Sequence, residues 1–380
     1  MSQRAVQTPL AALLTDRIRT NGSISFAEYM EACLYHPEHG YYSRAESRRF
    51  ADYYTSVDVH PVFGRLLARQ LHEVWSLLGQ PEPFCLVEVG AGTGRLARHI
   101  LDFADHQLED FYRALRYVAV EASSARRAAH AAALGRHIEA GRASSSAELP
   151  PEIPIGCIFS NELLDALPVH RVVREQGKLR EIYVGLSGGD FIERRGSLSS
   201  PLLAEYFAEQ GIEFVEGQQA EAGLATCRWI EEAGRRLGCG FILTIDYGHE
   251  AAELYDERHM RGTLLAYDRH RTSEDYFRAP GEQDLTAHVN FTALDLWGRR
   301  AGLSRTGLVS QGQFLLALGR GNDFADLHDE AASETERLRA RLLLKNLIHP
   351  EGMGETFQVF IQHKGIEHPQ LTGSSPYKEG

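Results

Sequence analysis

An apolar strand pattern that runs into three alternately spaced glycines constrains the fold of this 380-residue chain more than any other feature. The run Cys85-Leu86-Val87-Glu88-Val89 is followed by Gly90, Gly92 and Gly94, and a helical pattern begins at Arg95. Glycines at these positions permit a sharp turn, let backbone N–H groups approach a ligand closely and open a helix beneath it. The segment therefore predicts a strand–turn–helix unit whose turn binds a ligand.

The spacing of these glycines discriminates between cofactors. The dinucleotide fingerprint G-x-G-x-x-G would place its third glycine at position 95, where this chain has Arg95. A carboxylate at Glu88 would lie near the cationic sulfonium and amino groups of S-adenosylmethionine, whereas it would repel a pyrophosphate. The turn therefore favours S-adenosylmethionine. The turn by itself leaves open that the protein is a nicotinamide dehydrogenase. It also leaves open that Glu88 is a buried acid with a purely structural role.

Strand and helix patterns alternate after this turn. Residues 116–121 repeat the strand pattern, residues 124–134 the helical one, and residues 157–160 and 241–245 are two further buried strands. Such alternation predicts an α/β fold with a mainly parallel, Rossmann-like sheet. About eighty residues separate the last two strands, far more than the ~2–6 residues of an ordinary α/β loop, so we expect an inserted subdomain there.

These patterns give an expected domain organisation. It comprises an N-terminal helical cap (residues 1–80), a first part of the core (81–168), the inserted subdomain (169–238), a second part of the core with local insertions (239–364) and a flexible tail (365–380).

Glu121 ends the strand that follows the first helix of the core. A carboxylate at that place accepts hydrogen bonds from both ribose hydroxyls of an adenosyl cofactor. We therefore expect Glu121 to contact the cofactor, the alternative being an exposed acid at a strand end.

Charge and cysteine content narrow the class of function. The net charge of -12 disfavours general affinity for nucleic acid or anionic membranes, because a negative field repels phosphates. The five cysteines show neither a C-x-x-C pair nor zinc-ligand spacing, and no run approaches the ~18–20 apolar residues of a membrane span. We expect no metal and no membrane span, and we place the protein in the cytoplasm. The oligomeric state stays open, with a homodimer as one alternative.

Several ordered motifs along the chain resemble those of the MidA-like methyltransferases, whose mitochondrial members act in assembly of respiratory complex I. The similar segments are Leu34-Tyr35-His36-Pro37-Glu38-His39-Gly40-Tyr41-Tyr42-Ser43, Asp52-Tyr53-Tyr54-Thr55, Asn161-Glu162-Leu163-Leu164-Asp165-Ala166-Leu167-Pro168, Ile245-Asp246-Tyr247-Gly248, Pro280-Gly281-Glu282-Gln283-Asp284-Leu285-Thr286-Ala287-His288-Val289-Asn290-Phe291 and Gln311-Gly312-Gln313-Phe314-Leu315. One departure is that Ala51 stands where the family commonly has glycine.

The resemblance implies a class I methyltransferase core of seven strands, with S-adenosylmethionine as the methyl donor. It implies a protein arginine as acceptor for the mitochondrial members, so a respiratory complex I subunit is a candidate partner. It also implies a cofactor contact at Thr55. A small-molecule acceptor, or an assembly factor with little catalysis, remains an alternative.

A guanidinium acceptor would need carboxylates that hold its charge while one nitrogen faces the methyl group. Glu162 and Asp165 follow the strand ending at Ser160, and on a helical turn their three-residue spacing would turn both towards one cleft. We assign them to catalysis and the neighbouring Asn161 to the cofactor. His288 is a candidate for relaying the acceptor's proton. A structural histidine at position 288 and a first-turn acid at position 165 remain the alternatives.

Overall fold

The computed structural model describes residues 7–43, 61–268, 271–321, 324 and 333–374. The chain divides into two compact units, each built from several segments. The core unit comprises Tyr54–Leu163, Ile230–Tyr247 and Gly298–Gly380, and the accessory unit comprises Met1–Tyr53, Leu164–Trp229 and Gly248–Trp297.

The strands of the described residues are, in chain order, β1 (Ile24–Ser25), β2 (Phe84–Val89), β3 (Leu115–Val120), β4 (Ala143–Ser146), β5 (Ile153–Asn161), β6 (His170–Glu175), β7 (Lys178–Ser187), β8 (Asp190–Gly196), β9 (Gln219–Ala222), β10 (Leu237–His249), β11 (Leu265–Asp268), β12 (Arg271–Ser273), β13 (Asp284–Thr286), β14 (Val289–Asn290), β15 (Ser304–Ser310) and β16 (Phe357–Lys364). The α-helices of the same residues are α1 (Pro9–Asn21), α2 (Phe26–Tyr35), α3 (Pro61–Leu77), α4 (Arg95–Gln107), α5 (Glu109–Ala114), α6 (Ser124–Arg127), α7 (His130–Glu139), α8 (Leu202–Ala208), α9 (Leu224–Arg236), α10 (Ala251–Leu254), α11 (Phe291–Arg300), α12 (Gln311–Arg320) and α13 (Glu334–Ile348). None of these helices has the length and apolar character needed to cross a membrane.

The sheet of the core unit has the strand order β15-β16-β10-β5-β2-β3-β4. Neighbouring strands from β10 to β4 are parallel, while β16 is antiparallel to both β10 and β15. The expected seven-stranded, mainly parallel sheet of the core is therefore confirmed. The strand order reverses between β2 and β5, and in such sheets ligands bind at the carboxyl ends of the strands beside that reversal.

Helices cover the core sheet because they bury apolar stripes on it. In α4 the buried side chains recur at helical spacing, namely Leu96, Ala97, Ile100, Leu101 and Ala104. They join one apolar cluster with α3 and with strand residues such as Leu86 and Phe159. This packing fixes the turn between β2 and α4 on a rigid frame.

The accessory unit contains two smaller antiparallel sheets. β7 pairs with β1, β6 and β8, and β6 pairs with β9; β11 pairs with β12 and β13. Strands β6 and β7 form a hairpin. Its turn residues Gln176 and Gly177 have φ of 51° and 72°, as two-residue hairpin turns require. Aromatic rings, among them Phe26, Tyr29 and Phe277, pack in this unit.

These units differ from the domain boundaries expected from the sequence. The described parts of residues 1–80 do not form one cap. Helices α1 and α2 pack in an apolar cluster of the accessory unit, and α3 packs in the core cluster. The accessory unit also takes in residues 248–297, beyond the expected insertion at 169–238. A hydrophobic segment joins whichever apolar cluster buries it, and the linear sequence does not reveal which one that is.

The described part of the expected flexible tail, residues 365–374, packs on the core unit. Leu371 is 1% exposed and belongs to the core cluster. The N–H of Thr372 donates to Glu73 at 3.0 Å, and that of Gly373 donates to Oε1 of Gln70 at 2.9 Å. This part of the tail is therefore an ordered element held by side chains of α3.

Candidate functional site

The glycine turn between β2 and α4 has the backbone conformation that its sequence predicts. Gly90, Gly92 and Gly94 have φ of 79°, 55° and 80°, values that side-chain-bearing residues adopt only at a cost. The N–H groups of Gly90 and Ala91 both donate to the carbonyl of Val120 at 2.9 Å. The turn is thereby tied to the end of β3.

Glu121 is buried beside this turn. Its Oε2 accepts the N–H of Gly92 at 2.9 Å, and its Oε1 accepts the N–H of Ser123 at 2.8 Å. Each carboxylate oxygen can accept two hydrogen bonds, so these contacts orient the carboxylate and leave acceptor capacity for ligand hydroxyls. Glu121 thus organises the two loops at the ends of β2 and β3.

Glu88 is a buried acid on β2 with one strong side-chain donor. It is 4% exposed, and the hydroxyl of Tyr117 donates to its Oε2 at 2.7 Å. Burial raises the pKa of Glu88 to about 8, against the lowering effect of the Tyr117 hydrogen bond and with a further rise from the nearby Glu121. A carboxyl in this state is stabilised in its ionised form by a cationic group placed beside it.

The segment after β5 makes a strained corner at Glu162, whose φ is 53°. Two backbone donors hold the corner: the N–H of Glu162 bonds to the carbonyl of Ile245 at 2.9 Å, and that of Leu163 bonds to Oδ2 of Asp246 at 3.1 Å. The amide of Asn161 donates to Oε1 of Glu162 at 3.1 Å. Strained conformations of this kind concentrate at functional sites.

This corner lies directly against the glycine turn. A Cβ added to Gly90 would lie 3.0 Å from Cδ1 of Leu163, so the missing side chain at position 90 lets Leu163 pack closely on the turn. The structure therefore brings Glu88, Glu121, Asn161 and Glu162 to one edge of the core sheet, at the carboxyl ends of β2, β3 and β5, around the glycine turn.

Asp165 and His288 belong to the accessory unit. Residues 162–168 form bends and a turn, so the helical turn that would have placed Glu162 and Asp165 on one face does not form. The positive φ of Glu162 and the proline at position 168 both oppose a helix here. Asp165 is 3% exposed, and its carbonyl accepts the N–H of Ala287 at 3.0 Å.

His288 lies in a group of three imidazoles. Its ring centroid is 5.4 Å from that of His249 and 6.5 Å from that of His259. Burial, followed by the two neighbouring histidines, lowers the pKa of His288 to about 4. A group with this pKa is a weak base at neutral pH. Asp284, four residues earlier in the same motif, accepts a hydrogen bond from the hydroxyl of Tyr42 at 2.7 Å.

A model of the family described as "Putative S-adenosyl-L-methionine-dependent methyltransferase" matches residues 66–309. This chain belongs to that family. The methyltransferase is similar to a Drosophila melanogaster protein named "Protein arginine methyltransferase NDUFAF7 homolog, mitochondrial", with 28% identity over 94% of this chain and 85% of the relative. The corresponding human protein is 26% identical over 96% of this chain and 85% of its own length.

A crystal structure of a Burkholderia thailandensis protein bound to S-adenosyl-homocysteine has the same fold as the methyltransferase. Its TM-score is 0.86 at 31% identity, with 98% of this chain and 97% of that chain covered. The expected fold and enzyme class are thus confirmed, and the cofactor expected from the glycine spacing is the one in the family's description.

The core unit of the methyltransferase fits an adenosyl cofactor. A Cβ added to Gly92 would meet no atom of the described residues within 4 Å, so these residues leave space beside the turn for a ligand. The buried Glu88 could pair with a cationic ligand group, which would favour its ionised form, and Glu121 could accept hydrogen bonds from ligand hydroxyls. Thr55, the remaining expected cofactor residue, lies outside the described residues.

Three residues of this site have roles that the sequence of the methyltransferase does not reveal. Asp246, which belongs to one of the similar motifs, is fully buried and anchors the backbone of Leu163 and Tyr247. No sequence pattern marks Tyr117 or Leu163 as part of a site. Their roles arise from the strand register, which pairs β2 with both β3 and β5.

Proposed function

We propose that this methyltransferase transfers a methyl group from S-adenosylmethionine to the guanidinium of an arginine in a protein substrate. The observation that carries the proposal is the strained corner at Glu162, which holds a half-buried carboxylate beside the glycine turn. The names of the fly and human relatives, both protein arginine methyltransferases, support the same acceptor.

In this proposal the core unit binds the cofactor through the edge of its sheet. Gly90, Gly92 and Gly94 allow its close approach, Glu88 faces its cationic groups, and Glu121 accepts from its ribose hydroxyls. Asn161 contacts the cofactor and orients Glu162. The contact at Thr55 stays a prediction.

The cofactor supplies an electrophilic methyl group. The bond from sulfur to the methyl carbon breaks as the bond from that carbon to a guanidinium nitrogen forms, and the electron pair passes to sulfur. The negative charge of Glu162 holds the guanidinium and directs one of its nitrogens towards the methyl carbon. Such alignment of reacting groups is a major source of rate enhancement in enzymes. The acceptor nitrogen then loses its extra proton to water or to a carboxylate.

Asp165 and His288 stay in the proposal as candidate catalytic residues, each to be tested singly. The low pKa of His288 keeps its ring neutral at neutral pH. This favours a role in positioning neighbouring groups over a role in accepting the proton of the acceptor.

The experiment is transfer of tritiated methyl from S-adenosylmethionine to an extract of a strain that lacks the protein, followed by identification of methylated residues by mass spectrometry. The proposal expects label in a polypeptide and on arginine, and a loss of at least about 100-fold with Glu162→Gln. Label confined to small molecules would overturn the protein acceptor, and label on another residue type would overturn the guanidinium.

The biological partner is a finer part of the proposal. Because the chain resembles a family with members in respiratory complex I assembly, we propose a complex I subunit as substrate. A Glu88→Ala variant that loses cofactor binding yet fully rescues a deletion strain would instead favour an assembly role without methylation. The cytoplasmic location stays a prediction.

A further inference from the structure

Gly92, at the centre of the glycine turn, has both of its backbone polar groups held by side chains. Glu121 accepts its N–H at 2.9 Å, and Nε2 of His130 lies 2.9 Å from its carbonyl oxygen. His130 opens α7 and is 1% exposed. The imidazole also packs beneath the turn, since a Cβ added to Gly94 would meet its Cδ2 at 3.2 Å.

The partners of His130 define its tautomer. The carbonyl of Gly92 can only accept, so Nε2 carries the hydrogen. In the neutral ring Nδ1 is then an acceptor, and the hydroxyl of Ser145, 2.8 Å away, donates to it. Ser145 on β4 thus donates to His130 on α7, and His130 donates to the carbonyl of Gly92.

The carbonyl of Gly92 shares a peptide plane with the N–H of Thr93. In a trans peptide these two groups point in opposite directions. A hydrogen bond that draws the carbonyl towards the buried His130 therefore turns the Thr93 N–H away from the interior. Among the described residues, no acceptor bonds to that N–H, and Thr93 itself is exposed.

We infer that His130 is a positioning residue of the methyltransferase, which aims the Thr93 N–H at an acceptor atom of the cofactor by holding the Gly92 carbonyl. The inference rests on the cofactor role proposed above for the glycine turn. In this inference α7 and β4 affect the affinity for the cofactor through the glycine turn, without contacting the cofactor themselves.

Two substitutions at position 130 separate this role from a structural one. A glutamine amide reaches about as far as Nε2 of histidine, so His130→Gln keeps a donor for Gly92. An asparagine amide reaches only about as far as Nδ1, so His130→Asn retains polarity near Ser145 and loses the Gly92 donor. Both variants remove the ring from beneath the turn and should lower the melting temperature by similar amounts.

The measurement is calorimetric binding of S-adenosyl-homocysteine and S-adenosylmethionine to the full chain. Loss of one hydrogen bond predicts about a tenfold rise in Kd for His130→Asn, with His130→Gln within about threefold of the wild type. Equal losses of affinity in the two variants, or wild-type affinity in a folded His130→Asn protein, would overturn the inference.

Glu88→Gln, measured beside them, distinguishes the two levels of the proposal. If Glu88→Gln weakens binding and His130→Asn does not, the inference fails and the proposed cofactor site stands. If neither weakens binding, the proposed site itself fails. Should His130→Asn not fold, nitrogen chemical shifts of histidine-labelled wild-type protein still decide, with the signal assigned through His130→Gln. An Nε2–H tautomer supports the inference, and an Nδ1–H tautomer overturns it.

Discussion

The hydroxyl of Tyr117 donates to Oε2 of Glu88 at 2.7 Å, between two side chains that are 1% and 4% exposed. The pair joins β2 to β3 under the glycine turn. One donor does not compensate the carboxylate for its loss of water, and Glu121 adds a second negative charge nearby, so the pKa of Glu88 stays at about 8. Without a cationic ligand, the carboxyl group of Glu88 therefore binds its proton more tightly in the folded protein than in the unfolded chain.

The stability of the cofactor-free protein should therefore depend on the ionisation of Glu88. Between about pH 4.5, the ordinary pKa of the side chain, and about pH 8 the folded state binds the extra proton. The Glu88 contribution to the free energy of unfolding thus falls as pH rises through this window, by up to about 1.4 kcal/mol per pH unit. In urea denaturation from pH 5 to 9, Glu88→Gln should gain stability relative to the wild type as pH rises. A constant difference between the two proteins would contradict the prediction.

Tyr117→Phe provides the complementary change. It removes the donor that lowers the pKa of Glu88, so the fall in stability should extend to higher pH than in the wild type. Loss of the buried hydrogen bond should also cost about 1–3 kcal/mol. The same urea series measures both effects, and an unaltered pH profile would show that the hydroxyl does not act on Glu88.

The lowered pKa of His288 predicts that its contribution to the free energy of unfolding changes with pH in the opposite direction. Its pKa of about 4 in the folded protein is below the ordinary 6.5, so the unfolded chain binds more protons between those values. Stability should therefore be lost as pH falls from about 6.5 to 4. In His288→Gln the slope over that range should decrease by up to about 1.4 kcal/mol per pH unit. An identical slope in the variant would mean that His288 is not the group responsible.

The placement of the glycine turn and its neighbouring acids at one edge of the core sheet was largely predictable from the sequence, because the signals for it are local. Alternate glycines directly after an apolar strand are typical of a ligand-binding turn. The acids at the ends of β2, β3 and β5 are within or next to those strands in the sequence, so the strand patterns also locate them. The strand and helix patterns around them predict the parallel sheet for the same reason.

The contacts that tune this edge were not predictable, because they depend on strand register and packing. Tyr117 and Glu88 are 29 residues apart, and His130 and Gly92 are 38 apart. Each pair meets only after β3 and α7 have packed beside the glycine turn. The conformation of Glu162 was missed for a related reason, since a sequence rule favours a helical turn there and the bonds to Ile245 and Asp246 override it.

The ordered part of the tail gives a test of packing. Leu371 is 1% exposed within the core cluster, so Leu371→Ala should lower the free energy of unfolding by about 2–5 kcal/mol. Gln370→Ala, at the exposed neighbouring position, is the matched control and should change it by less than about 0.5 kcal/mol. Equal, small effects of both substitutions in thermal unfolding would show that residues 365–374 do not pack as described.

Glu162 and Gln176 share a left-handed backbone, with φ of 53° and 51°, but they occupy different places. Glu162 follows β5 beside the glycine turn, whereas Gln176 lies in the β6–β7 hairpin turn. A side chain at such a φ costs about 1–2 kcal/mol, which glycine avoids at some entropic expense. Glu162→Gly and Gln176→Gly should each raise the free energy of unfolding by up to about 1 kcal/mol.

Activity should separate these two glycine variants. Glu162→Gly removes the carboxylate proposed to hold the guanidinium, so methyl transfer to protein should fall at least about 100-fold while the protein becomes no less stable. Gln176→Gly should keep wild-type transfer. If both variants methylate normally, the strained corner has no part in the reaction; if Glu162→Gly is clearly destabilised, the bonds to Ile245 and Asp246 do not hold a strained residue in place.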